Sequence, residues 1–246
     1  MSNDSPTPPL PTYIKAIIKS EERFKHIVEH HKYNLNYHEE AQFAKTQIAQ
    51  TTKLQHCTPQ SIHDSLLQAA SLGLTLNHQK KLCYLTTRYN KELLALECKF
   101  DITYHGLYTL ALETGVVQFV VAERVFESDI QNGGFEYLGP LLPPKHQTKN
   151  PFLSDKEKGN CIGVYCVAKL ATNDYMTTFM TQAELNACAQ QNGFNNSVWS
   201  GPFRGEMEKK ACIKRAFKLW PKYQDKSGRF SNAVELMNRD IDTINP

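Results

Sequence analysis

Five cations, Lys209, Lys210, Lys214, Arg215 and Lys218, fall within ten residues of the stretch WSGPFRGEMEKKACIKRAFKLWP, Trp199 to Pro221. Ammonium and guanidinium groups at such density carry no nucleophile at neutral pH. Their chemistry is to hold anions, and a row of them suits a polyanion. The Trp-Ser-Gly-Pro turn before them and Pro221 after them predict a helix over Gly205–Trp220. At about 100° per residue, Lys210, Lys214, Arg215 and Lys218 share one broad face, with Cys212, Ile213, Ala216, Phe217, Leu219 and Trp220 opposite. From Arg204 to Arg229 nine Lys or Arg stand against three acids, a local charge of +6. The whole chain is +3, so the remainder is −3 and the positive charge is concentrated here.

Other chemistries find little support. There is no GxxxxGK[ST] loop, no GxGxxG after a strand, no HExxH, no GxSxG and no framed Cys–His pair. Glu97, Asp101, Glu123 and Asp129 are the acids a metal-dependent nuclease would need, but their spacing equally suits caps of turns and strand ends. His30, His31 and His38 lack a metal-ligand pattern. Seven scattered cysteines without CxxC read as reduced core thiols of a cytoplasmic protein. No run approaches a membrane span. The composition, 41% hydrophobic and 22% charged, is that of a soluble globule with room for a sizeable core.

The elements that must position the basic helix follow from the period of the sequence. Residues 1–12, with four prolines, read as a disordered lead-in. Helices are expected over Glu21–His31, Tyr37–Leu54 and from Thr58-Pro59 to Gly73. Leu82–Arg88 and Glu92–Phe100 predict a hairpin turning at Tyr-Asn-Lys, and Ile102–Gly115 a helix. Val116–Phe126 is a long strand and Phe135–Leu138 a short one. Gly139–Lys158, with four prolines and four lysines, reads as a mobile, solvent-facing loop. A second hairpin runs through Gly159–Leu170 and Asp174–Met180 about Thr172-Asn173, and Thr181 with Glu184 opens a helix stopped at Asn192-Gly193. Val234, Leu236 and Met237 suggest a last helix. The sum is an α+β fold: antiparallel hairpins and a small sheet flanked by helices, with a helical N-terminal region.

Taken in order, four stretches give the chain a resemblance to a known family. They are Ala70-Ser71-Leu72-Gly73-Leu74 followed by Lys81-Leu82-Cys83-Tyr84-Leu85; Ile102-Thr103-Tyr104-His105-Gly106-Leu107 through Glu113-Thr114-Gly115; Val125-Phe126-Glu127-Ser128-Asp129; and the Trp199–Pro221 helix with Met207, Lys209, Lys210, Ile213, Lys214 and Arg215. The chain resembles the RecT/Redβ family of single-strand annealing recombinases, encoded mostly by phages and mobile elements. His105 stands where the family usually carries Lys.

The resemblance implies single-stranded DNA binding and ATP-independent annealing in homologous recombination, on rings or helical filaments of the protein, with no enzymatic activity. It implies as partners single-stranded DNA and the annealed duplex, further copies of the chain, a companion 5′→3′ exonuclease and a host single-strand binding protein. No cofactor is implied; Mg²⁺ accompanies DNA, but no motif requires it. Carried over, Lys209, Lys210, Lys214, Arg215 and Lys218 lie along the phosphates, Lys81 and Arg88 support the far side of a groove, and Tyr104 and Trp199 either stack on bases or pack. Five α-helical cations predict a log–log salt slope of roughly −3 to −4. The expected division is a lead-in (1–12), a helical region for oligomer contacts (13–58), an annealing core (59–222) and a C-terminal tail (223–246). A non-annealing coating protein and a metal-dependent nuclease are the alternatives. Lys209 falls in the apolar arc of the helix, which predicts either a DNA groove between helix and first hairpin or a snorkelling lysine.

Overall fold

A computed structural model describes residues 10–148, 150–191 and 197–242, with the side chains of residues 191, 197, 198 and 239–242 excluded. Most of the expected lead-in and the Asn192-Gly193 stop lie outside the described residues. The fold is α+β, and the chain forms two compact units, the first ending at Gly106 and the second beginning at Leu107.

The first unit is a helical cluster carrying one hairpin. Its helices are α1 (Thr12–Lys19), α2 (Glu21–His31), α3 (Tyr37–Gln50), α4 (Thr52–Gln55) and α5 (Pro59–Leu72). Helix α5 starts and stops where its sequence dictates. The Thr58 hydroxyl accepts from the Ser61 N–H, Pro59 occupies the first turn, and Gly73 closes the helix in the left-handed conformation at φ 60°. Its inward stripe of Ile62, Leu66, Ala69 and Leu72 packs with Ile17, Phe24 and Ile48 into a core sealed from water. The buried Glu40 carboxylate ties α3 to the chain after α5, accepting from Thr75 Oγ1 at 2.5 Å and Leu76 N–H at 2.7 Å. Helix α1 lies in the expected helical region 13–58 but was not singled out there, and its buried residues are Ala16 and Ile17.

Strands β1 (Cys83–Asn90) and β2 (Ala95–Ile102) pair antiparallel as a two-stranded sheet. Their turn sits later than the expected Tyr-Asn-Lys. The Asn90 side chain accepts from the N–H groups of Glu92 and Leu93, and Leu94 takes φ 47°, so residues 91–94 make the bend. The hairpin is fastened to α5 by side chains of that helix: Ser65 Oγ donates to Cys98 O, and Ser61 Oγ accepts from Cys98 N–H.

Helix α6 (Tyr104–Glu113) begins against this hairpin. Thr103 Oγ1 accepts from Gly106 N–H at 3.0 Å and donates to Lys81 O at 2.6 Å. Gly106 is fixed by this approach, because a Cβ there would lie 2.1 Å from Leu82 O.

The second unit is built on a three-stranded antiparallel sheet ordered β3-β6-β7, from β3 (Val117–Phe126), β6 (Cys161–Leu170) and β7 (Tyr175–Thr181). Between β3 and β6 come α7 (Glu127–Gln131), β4 (Phe135–Glu136) and β5 (Lys145–His146), the last two paired. The expected free loop therefore contains a strand. It also runs along β7, where Thr177 donates from its N–H to Pro140 O and from its hydroxyl to Leu142 O. Prolines keep this run out of a longer ladder, while its carbonyls still satisfy the edge of the sheet. After β7 come α8 (Gln182–Gln191), α9 (Ser197–Ser200), α10 (Arg204–Leu219) and α11 (Arg229–Asp242).

Strand alternation sorts the sheet into two faces. Val164, Cys166, Ala168 and Met180 are buried on the α10 side, where Cys212 Sγ lies 3.6 Å from the carbonyls of Val164 and Thr178. Tyr165, Phe179 and Phe135 cluster on the other. Helix α11 comes from the expected tail and packs on α10 through Phe230, whose ring lies 4.2 Å from that of Phe217 and 6.4 Å from that of Trp220.

Substituting Gly106→Ala forces its methyl group into the Leu82 carbonyl. Overpacking of this kind costs about 1–3 kcal/mol. Urea denaturation should show a correspondingly lower midpoint; an unchanged midpoint would contradict the close approach.

Candidate nucleic-acid interface

Helix α10 matches the expected boundaries within one residue, and its burial pattern defines which side is presented. Glu208, Cys212, Ala216 and Phe217 are buried, and Trp220 just beyond the helix is buried with them. This stripe lies over the β3-β6-β7 sheet. On the wheel the opposite arc contains Lys210, Met207, Lys214, Lys218 and Ala211, all half-buried by their neighbours. Lys218 Nζ also reaches the Met237 carbonyl on α11 at 3.5 Å.

The other two cations of the row are turned to internal work. Arg215 Nη1 donates to Glu184 Oε1 at 2.7 Å and to Phe179 O at 3.2 Å, so it straps α10 to α8 and β7. Lys209 keeps a side-chain exposure of 27% and pairs with Glu206, one turn back, at 2.9 Å. The Lys209 ammonium thus meets a carboxylate of its own helix.

At the N-terminal end of α10 a buried acid organises further cations. Glu208 is 0% exposed. It lies 2.8 Å from Arg204 Nε, 3.0 Å from Arg124 Nε on β3, and 3.2 Å from Gln182 Nε2 on α8. Arg124 also pairs with Asp155 and stands over the Phe126 ring at 4.7 Å. These residues line a polar cleft of about 540 Å³. Sequence reading missed this group because Arg124 on β3 and Glu208 on α10 are separated in the chain by four strands and three helices, and only the packing of α10 on the sheet brings them together. Phe203, 67% exposed where α10 begins, was missed too, as nothing in its local pattern separates it from a staple residue.

The remaining expected contacts are dispersed. Trp199 is 6% exposed, so packing is the role its burial describes. Its indole N–H has no hydrogen-bond partner among the described residues. In the first unit, Lys81 is exposed with φ 52°, Arg88 on β1 lies directly opposite Glu97 on β2, and Tyr104 is half-buried with its ring 4.0 Å from that of His105.

Two of the acids considered for a nuclease have separate structural partners. Asp101 accepts from the Tyr84 hydroxyl at 3.3 Å. Asp129 is buried, accepting from Phe126 N–H at 2.8 Å and lying 3.3 Å from His146 Nε2. Among the described residues no group of three or more His, Cys, Asp or Glu gathers as a metal site, and no helix is long and apolar enough to cross a membrane. All seven cysteines are free thiols, and burial pushes Cys57 up to about 11 and Cys98 and Cys212 to about 12, away from thiolate chemistry.

Glu184 carries the pH dependence of the α8–α10 strap. The Thr181 N–H, then Arg215, then the Thr181 hydroxyl hold its carboxyl down to about 2. A carboxyl depressed on folding stabilises fully above its unfolded value of about 4.3 and loses that contribution as pH falls through about 2. Glu184 is partly exposed, so the gain is modest, about 1 kcal/mol or less after screening. Thermal melts of Glu184→Gln should fall below those of the parent at pH 6 and converge with them near pH 2. A constant difference across that range would count against the strap.

The RecT family model matches residues 38–240, a span that includes the hairpin, the sheet and both α10 and α11. The chain is 28% identical over 207 residues to Protein RecT of Escherichia coli (strain K12), covering 82% of this chain and 72% of that protein. With the expected motifs in order and the family match extending over most of the fold, the chain belongs to the RecT family.

Proposed function

We propose that this protein binds single-stranded DNA along the lysine face of α10 and anneals complementary strands without ATP, acting as an oligomer in homologous recombination. Family membership supports the general role, single-strand annealing in recombination. The observation that carries the site is the position of Lys210, Lys214 and Lys218 together on the arc of α10 away from the sheet.

A face made of ammonium groups contacts backbone phosphates and leaves base edges free, which is what pairing of a second strand requires. Neutralising phosphates on both strands also removes the repulsion that opposes their approach. Lys81, Arg88 and Tyr104 remain as secondary contacts in this reading; Trp199, Lys209 and Arg215 leave the contact set. Assembly of many copies on one strand would multiply a modest affinity per copy. A companion 5′→3′ exonuclease and a host single-strand binding protein are the proposed partners.

Three α10 lysines contribute about −2 to the salt slope, at about −0.7 for each phosphate neutralised, in place of the −3 to −4 of the full row. The double substitution Lys210→Ala with Lys214→Ala should flatten the slope by about 1.4 and weaken binding equally across sequences, with an unchanged circular dichroism spectrum. Lys209→Ala should leave the slope as it is. The deciding assay mixes complementary labelled oligonucleotides with the protein in the absence of ATP. Faster duplex formation supports annealing, slowed pairing would mark a coating protein, and degradation in Mg²⁺ would mark a nuclease.

A further inference from the structure

We propose that the cleft at the start of α10 is a seat for one phosphate of the bound strand, and that Asp155 closes it in the free protein as an internal stand-in for that phosphate. This rests on the reading of α10 as the strand-binding helix. Arg204 lies on the wheel beside Lys218 and Lys214, and at 1.5 Å per residue it stands about 15 Å along the axis from Lys214. A strand following the lysine face therefore reaches Arg204 within a few nucleotides, and the cleft opens there.

The charges of the cleft match an exchange of anions. Arg124, Arg204 and Lys156 supply +3, and Asp155 and Glu208 supply −2, leaving +1. A phosphodiester carries one negative charge, so replacing the Asp155 carboxylate with it leaves the balance unaltered. The two acids differ in what holds them. Glu208 is wholly buried between Arg124, Arg204 and Gln182, so removing it would strand two guanidinium groups. Asp155 has 62% of its side chain exposed and one ion-pair partner, Arg124.

The segment bearing Asp155 does not depend on that contact for its shape. Ser154 donates from both its N–H and its hydroxyl to Glu157 Oε2, and Lys158 N–H donates to Ser154 O. The turn can thus release Arg124 while its own hydrogen bonds persist. The arginine, by contrast, is held ready. It stacks over Phe126, and it crosses the start of α10 at a glycine: a Cβ on Gly205 would lie 2.8 Å from Arg124 Nη1. A preset, planar guanidinium behind a displaceable carboxylate suits bidentate contact with the two free oxygens of a phosphodiester.

The test compares the full-length protein with Asp155→Asn and Asp155→Ala, reading anisotropy of a labelled thymidine oligonucleotide over a salt series. Both variants should bind about 3–10-fold tighter. Their slopes should steepen by up to about 0.7, since no displaced carboxylate takes up a cation in exchange. Unchanged or weaker binding would make Asp155 a pin for its loop and overturn the proposal. If that occurs while Lys210→Ala with Lys214→Ala still weakens binding and flattens the slope, the α10 reading stands alone; if the parent binds no single strand at all, both fall. Inorganic phosphate is titrated into Asp155→Asn by calorimetry as a separate arm. Heat of phosphate binding without a gain in oligonucleotide affinity would assign the seat to a free anion and also overturn it.

Discussion

The second unit depends on one buried carboxylate. Glu208 sits at the junction of α10, α8 and β3, and water is excluded from it. An ionised acid in such a place costs several kcal/mol unless cations and donors surround it. Here the compensating groups come from three different elements, so meeting the need of one side chain fixes the helix on the sheet. Gly205 follows from the same constraint, because the guanidinium that reaches Glu208 from β3 passes where a side chain at 205 would stand. A hydrophobic contact could hold α10 down equally well but would tolerate sliding. A carboxylate between two guanidinium groups sets both the position of the helix along the sheet and its rotation, and the rotation decides which lysines face outward.

How the cations of α10 are used also separates local from long-range information. The helix, its ends and most of its buried stripe were legible in the sequence because each depends on neighbours within a turn or two, whereas Leu219, expected on that side, is 57% exposed and Glu208 is buried. The same holds for α5 with its Thr58 and Gly73 caps, and for the Thr181–Glu184 box. What was not legible depends on register. Nothing near Arg215 in the chain announces Glu184 as its partner, and nothing near Arg124 announces Glu208. The β1–β2 turn was misplaced for a smaller reason: the side chain of Asn90 moves the bend downstream and lets a leucine adopt a positive φ. The anomalous position of Lys209 was visible early, but its pairing with Glu206 was not.

Local carboxylates bear on binding as well as folding. Glu206, Glu184 and Asp155 each hold a cation of the basic region. Exposed pairs of this kind are individually weak and are screened by salt within a Debye length of about 8 Å at physiological ionic strength. A dense positive region thereby presents fewer fixed charges than its composition suggests.

The aromatic contact between α10 and α11 changes what the last part of the chain is. Composition alone made everything after Pro221 a short extension of a core that ended there. With Phe230, Ala233 and Val234 buried and the Phe230 ring against Phe217, residues as far as Val234 supply part of the floor on which the lysine helix rests. The smallest fragment that could keep the basic face in its orientation therefore includes α11. A boundary drawn at the proline would leave Phe217 and Trp220 facing water, and a loss of DNA binding in such a fragment would report a collapsed support and not a missing contact.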